Sequence, residues 1–183
     1  VYASILIRQR RVAKMGLEFE PIPNPYMAGG PVRSEEMFFG REEDFKFVNN
    51  KLKTEREGIV IVFYGQRRIG KTSLLHQLLN GRLGDAFMPV LIDMQEMVVN
   101  NDGEFYEKIA DEVAFGLFQW VDVNVAEYDF RAEGVNPARL FGRFIDDVMK
   151  KSGEKTLLLM FDEYELLEEK MNDGIISKET PTF

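Results

Sequence analysis

The sequence predicts an α/β fold with a mostly parallel sheet, and two observations carry that expectation. Three apolar runs, residues 59–64, 88–92 and 156–161, have the composition of strands buried on both faces. The segments between them place apolar residues at helical spacing, so strands and helices alternate along the chain, as they do when parallel strands are joined by crossover helices. The 183 residues, 45% apolar and 12% aromatic, suffice for a globular core and exclude disorder as the global state. There is no cysteine, so neither a disulfide framework nor a cysteine-bound metal is available. With 23 Lys and Arg against 31 Asp and Glu the net charge is −8, which argues against a dedicated nucleic-acid-binding module with its basic footprint. The charge is uneven: residues 1–90 carry 14 basic and 10 acidic side chains, whereas residues 91–183 carry 9 and 21.

The chain opens on Val1 and closes on Lys178-Glu179-Thr180-Pro181-Thr182-Phe183, which has neither a helix pattern nor a tail composition, so the expectation is a fragment. Residues 1–14 read as the end of a preceding segment. The apolar Val1-Tyr2-Ala3-Ser4-Ile5-Leu6-Ile7 is followed by Arg8, Arg10, Arg11 and Lys14. Seven residues cannot cross a bilayer, which takes about 20. Two readings stay open: the last element of a preceding soluble domain with a solvated basic linker, or the cytoplasmic end of a membrane tether lying upstream of residue 8. Prolines 21, 23, 25 and 31 and the pair Gly29-Gly30 make residues 15–37 a linker. The folded domain is expected over residues 38–183, beginning near Phe38.

From Arg41 to Leu52, the residues Phe45, Val48 and Leu52 share one helical face, with Glu42, Glu43 and Asp44 in the first turn, where the helix dipole favours them. The first predicted strand, Ile59-Val60-Ile61-Val62-Phe63-Tyr64, runs into Gly65-Gln66-Arg67-Arg68-Ile69-Gly70-Lys71-Thr72, a match to G-x-x-x-x-G-K-[ST] without a mismatch. Two glycines let such a loop curl so that successive N–H groups face phosphate oxygens. Lys71 can reach the outer phosphates, and the Thr72 hydroxyl can ligate Mg²⁺. Leu74, Leu75, Leu78 and Leu79 then continue as a helix with one apolar face. The only histidine, His76, falls between the leucine pairs, which assigns it a solvated or hydrogen-bonded place away from the packed face. Arg67 and Arg68 read as solvated charge by default, with phosphate, acidic-neighbour or partner-subunit contacts as alternatives.

Met88-Pro89-Val90-Leu91-Ile92 is the second strand, ending at Asp93, with Pro89 tolerated near its start. A helix is expected over residues 104–121, with Trp120 in the core. Residues 121–136 are expected as loop with a short helix. Asn136-Pro137 opens the next helix as cap and first-turn proline, and Ser152-Gly153 ends it. The third strand, Thr156-Leu157-Leu158-Leu159-Met160-Phe161, terminates in Asp162-Glu163, 91 residues beyond Lys71. At a strand's C-terminal end, the first carboxylate can hold hydrated Mg²⁺ and the second can orient and deprotonate a water.

Three blocks carry a family resemblance: Phe38-Phe39-Gly40-Arg41-Glu42-Glu43, residues 65–75, and Leu157 through Glu163. Together they resemble the STAND/AAA+-like ATPases, close to the archaeal-type and novel STAND branches, over about residues 24–170. The resemblance implies a P-loop NTPase three-layer sandwich of the ASCE/AAA+ kind. Phe39, Gly40 and Arg41 would then lie near the adenine of ATP. Gly65, Gln66, Arg67, Arg68, Ile69, Gly70, Lys71, Thr72 and Ser73 would hold its phosphates, with Thr72 and Asp162 serving Mg²⁺ and Glu163 acting as the base. The family's sensor strand, final core strand, arginine finger and helical lid are not matched. Its strand between the loop strand and the Asp162 strand is among them, so a C-terminally truncated sheet with a gap, weak or inactive alone, is expected. The implied function is ATP binding with Mg-dependent hydrolysis in a cytoplasmic regulatory switch of a larger signalling protein that self-associates through this domain. Alternatives are a nucleotide-gated scaffold with negligible turnover, or a DNA-handling ATPase related to origin-binding or transposition ATPases. A GTPase is disfavoured, because Asp162-Glu163 replaces D-x-x-G and no N-K-x-D occurs.

Overall fold

The computed structural model describes residues 30–54 and 59–177, and the part from Pro31 onward forms one compact unit. The sequence expectations for residues 1–29, including the membrane tether and most of the linker, and for residues 178–183 lie outside the described residues. A 3₁₀ turn at Glu35–Met37 leads into helix α1 (Glu42–Thr54), whose first turn carries Glu42, Glu43 and Asp44 and whose last carries Lys51 and Lys53. Helix α2 (Lys71–Gln77) follows the glycine loop and passes into a π-helical turn at Leu78–Arg82. Strand β1 (Phe87–Asp93), helix α3 (Asp102–Leu117), a second 3₁₀ turn at Val125–Glu127 within the expected 121–136 loop, helix α4 (Pro137–Lys151), strand β2 (Thr156–Asp162) and helix α5 (Glu165–Asn172) complete the order.

β1 and β2 pair in parallel, in register from Phe87 against Thr156 to Asp93 against Asp162. Parallel strands need a long crossover, and α3 and α4 supply it. Both helices start on side-chain caps: Asn101 Oδ1 accepts from Glu104 N–H at 2.9 Å, and Asn136 Oδ1 accepts from Arg139 N–H at 3.0 Å.

Alternation along the two strands sorts their side chains into two clusters. Met88, Val90 and Ile92 join Phe105, Ile109, Val113, Phe144 and Val148 of α3 and α4, with Leu167 of α5. Phe87 and Met160 join Phe45 and Val48 of α1, Leu74 and Leu75 of α2, and Leu78. Because successive strand residues point to opposite faces, the helices that follow β1 cover one face and the two that precede it cover the other.

Three expectations need correction. Residues 59–64 form no strand, and Val60 (76%), Val62 (77%) and Tyr64 (97%) are exposed, while Ile61 and Phe63 pack against the α1–α2 cluster. β-branched composition makes a segment able to pair, but a strand exists only where a neighbour takes its backbone hydrogen bonds. Among the described residues none pairs with 59–64. Consequently, the sheet of the described residues has two strands rather than three. Helix α3 stops at Leu117, which leaves Trp120 in a turn, 37% exposed, with the Lys155 ammonium 5.9 Å from its ring centroid rather than in the core. No helix of the described residues is long and apolar enough to cross a membrane.

Candidate functional site

Gly70 occupies the left-handed region, with φ 89°, at the N-cap of α2. A side chain there would be strained, so glycine sets the angle at which the loop enters the helix. Its carbonyl accepts from Leu74 N–H at 3.0 Å, closing the first helical turn. Lys71 folds back: its Nζ donates to the carbonyls of Gly65 at 3.0 Å and Gln66 at 3.4 Å. The ammonium therefore lies along the loop that precedes it. Arg41 also reaches the loop, donating from Nη2 to the carbonyl of Ile69, with Nη1 3.5 Å from Asp44 Oδ2. Gly40 (φ 80°) and Arg41 (φ 60°) are both left-handed, and that bend turns the arginine toward the loop just before α1 begins. Gln66, Arg67, Arg68 and Ile69 are exposed, so the loop presents two further cations to solvent. Phe39 is 81% exposed.

Thr72 is half-buried in the first turn of α2. Ser73 is buried, and its Oγ accepts from Val32 N–H at 2.9 Å. This belongs to a seam that the sequence reading did not find. Gln77 Nε2 donates to the carbonyls of Val32, Arg33 and Ser34 at 3.3–3.4 Å, and Asn80 Nδ2 donates to Arg33 at 2.7 Å. Ser73, Gln77 and Asn80 recur at i, i+4 and i+7, a polar stripe on an otherwise leucine-rich helix that takes up the backbone of residues 32–34. The polar spacing was the available signal.

The carboxylates stand at the C-terminal ends of the two strands. Asp162 is only 8% exposed, and its Oδ1 accepts from Glu163 N–H at 3.1 Å. No basic side chain of the described residues forms an ion pair with it. Glu163 has φ 52°, a left-handed turn that ends β2 sharply. Asp93 lies opposite Asp162 in the register, with its Oδ1 accepting from Gln95 N–H at 2.8 Å.

His76, one helical turn beyond Thr72, is half-buried. Burial pushes its pKa below the usual histidine value and Arg33 adds to that, while the charges of Asp162 and Asp93 oppose the shift. Among the described residues, no three His, Asp or Glu side chains converge as a ready metal cluster.

Two curated relatives resemble the chain. One, an uncharacterized ATP-binding protein of Methanocaldococcus jannaschii, is 27% identical over 120 residues, which cover 65% of this chain and 31% of the relative. A second uncharacterized ATP-binding protein of the same organism is 24% identical over 167 residues, covering 80% of this chain and 42% of the relative. The aligned part thus spans well under half the length of either relative. No protein-family profile matches the chain. No solved structure matches it.

Proposed function

We propose that this chain is the ATP-binding part of a Mg-dependent, hydrolysing switch domain of the STAND/AAA+ kind. One observation carries the reading furthest: a carboxylate more than nine-tenths buried at a strand end, with no cationic partner among the described residues, on the sheet face that the glycine-loop helix covers. A buried carboxylate without a counter-charge is costly, and a bound cation removes the cost. The donors suit Mg²⁺, which takes hard oxygen ligands, one or two carboxylates, the substrate's phosphates and several waters. In this reading the Thr72 hydroxyl and the Asp162 carboxylate hold the ion, whose charge offsets that developing on the phosphates. The names of the two relatives support ATP as the nucleotide.

Lys71 exchanges its carbonyl partners on Gly65 and Gln66 for the outer phosphates. Exposed N–H groups of the loop, with Arg67, Arg68 and Ser73 nearby, complete the cradle, and Phe39, Gly40 and Arg41 flank the base. Glu163 orients a water in line with the γ-phosphate and takes its proton. The water's oxygen bonds phosphorus as the bond to the β-phosphate oxygen breaks, leaving ADP and phosphate. The domain is a three-layer P-loop sandwich in this reading, supported by the two clusters on opposite sheet faces. Nucleotide state governs its self-association.

Single-turnover hydrolysis in the intact protein tests the proposal. Glu163→Gln should retain ATP on the protein uncleaved, while the wild type releases ADP. Equal turnover in the two proteins would remove Glu163 from the chemistry.

A further inference from the structure

The strand register and the sorting of side chains between the two clusters bear on a residue with no role so far. Phe87 and Leu91 pack in the α1–α2 cluster, while Met88, Val90 and Ile92 pack in the α3–α4 cluster. By the two-residue period of a strand, Asp93 falls on the α1–α2 face. Leu158 and Met160 do the same on β2, which puts Asp162 on that face too. In a parallel pair, residues in register point the same way and neighbouring strands lie about 4.8 Å apart. The two strands therefore present aspartates side by side on the face covered by the helix that carries Lys71 and Thr72.

Three further facts distinguish Asp93 from an ordinary acidic strand end. It is exposed, and no basic side chain of the described residues forms an ion pair with it. Its Oδ1 is held by the Gln95 N–H, which fixes the carboxylate's direction and leaves Oδ2 for another partner. The neighbouring Asp162 is buried without a counter-charge, so an independent feature of the same edge already calls for a cation.

We infer that Asp93 is a positioning residue for the bound divalent cation, accepting hydrogen bonds from the water shell of the ion that Thr72 and Asp162 hold directly. The inference rests on the proposed Mg-nucleotide reading. Asp162, buried, would meet the ion, and Asp93, exposed on the neighbouring strand, would meet its water. Outer partners of this kind typically contribute about 10–100-fold to metal affinity by fixing the inner ligands and the bound water. Asn is the informative replacement, because its Oδ1 keeps the acceptor for Gln95 N–H while the negative charge is lost.

The experiment measures Mn²⁺ binding to the ADP complex of the intact protein by electron paramagnetic resonance, beside ADP binding in EDTA. Asp93→Asn should weaken Mn²⁺ about tenfold and leave ADP affinity in EDTA unchanged, and Asp93→Glu should recover part of the loss. Mn²⁺ affinity that stays at the wild-type level in Asp93→Asn, with ADP still bound, would overturn the role of Asp93 alone. Failure of the wild type to bind ADP would overturn the nucleotide reading and the role of Asp93 together.

Discussion

Replacing Lys71 by alanine separates the loop's part in holding nucleotide from its part in holding the fold. Without nucleotide the lysine makes two hydrogen bonds, to Gly65 and Gln66 carbonyls of a largely exposed loop. Their loss should cost no more than about 1–2 kcal/mol, because those carbonyls can turn to water. At about 2–4 °C per kcal/mol for a chain of this size, the unliganded Tm should fall by less than about 8 °C. Nucleotide at a hundred times its Kd stabilises the wild type by about 2.7 kcal/mol, a rise of about 5–11 °C. A charge-assisted contact to phosphate is worth about 1.5–3 kcal/mol, up to about a hundredfold in Kd. At the same nucleotide concentration the variant then gains only about 0.4 kcal/mol, a shift of about 1 °C. Thermal unfolding with and without Mg-ATP reads both numbers. An equal ligand-induced shift in the two proteins would refute the assignment of Lys71, and loss of the folded transition in the unliganded variant would refute the claim that the loop bonds are minor.

Gly103, buried in the first turn of α3, leaves no room for a side chain: a Cβ there would sit 2.7 Å from the Phe130 carbonyl oxygen. Gly103→Ala should therefore destabilise by about 1–3 kcal/mol through displaced backbone, seen as a lower urea midpoint; an unchanged midpoint would show that the 130 region yields freely. Tyr128 donates to Asp147 Oδ2 at 2.7 Å, and burial first, then that hydrogen bond, push its hydroxyl up to about 12. Above pH 10 the unfolded chain loses this proton while the folded chain keeps it. The tyrosine's contribution is thus complete below pH 10 and is lost as pH rises toward 12. Urea midpoints at pH 9 and pH 11 should differ more in the wild type than in Tyr128→Phe, and equal differences would count against the coupling.

The amphipathic helices were readable because their signal is local. Asn136-Pro137 at the start of α4 and the 3.6-residue recurrence of Phe141, Phe144 and Val148 need nothing from elsewhere in the chain. The same holds for Gly70, where the backbone angle alone demands glycine. Residues 59–64 were misread for the complementary reason: hydrophobic content reports the capacity to be buried, not the presence of a neighbour. In the structure alternate side chains of that run find the α1–α2 cluster and the others find solvent. His76 was placed by its position between leucine pairs, a pattern that cannot register two carboxylates contributed by strands that end elsewhere in the chain.

Residue order along the chain suffices for the loop that bends at Gly70, the lysine and threonine that follow it, and the acidic end of β2, since each depends on neighbours a few positions away. The pairing of Asp93 with Asp162, the seam of Ser73, Gln77 and Asn80 along residues 32–34, and the approach of Arg41 to the Ile69 carbonyl join segments 28 to 69 residues apart. Contacts over such separations arise from strand register and helix packing, which minimise exposed apolar area and unpaired backbone groups over the whole unit. No local pattern encodes them, so they belong to the folded chain alone.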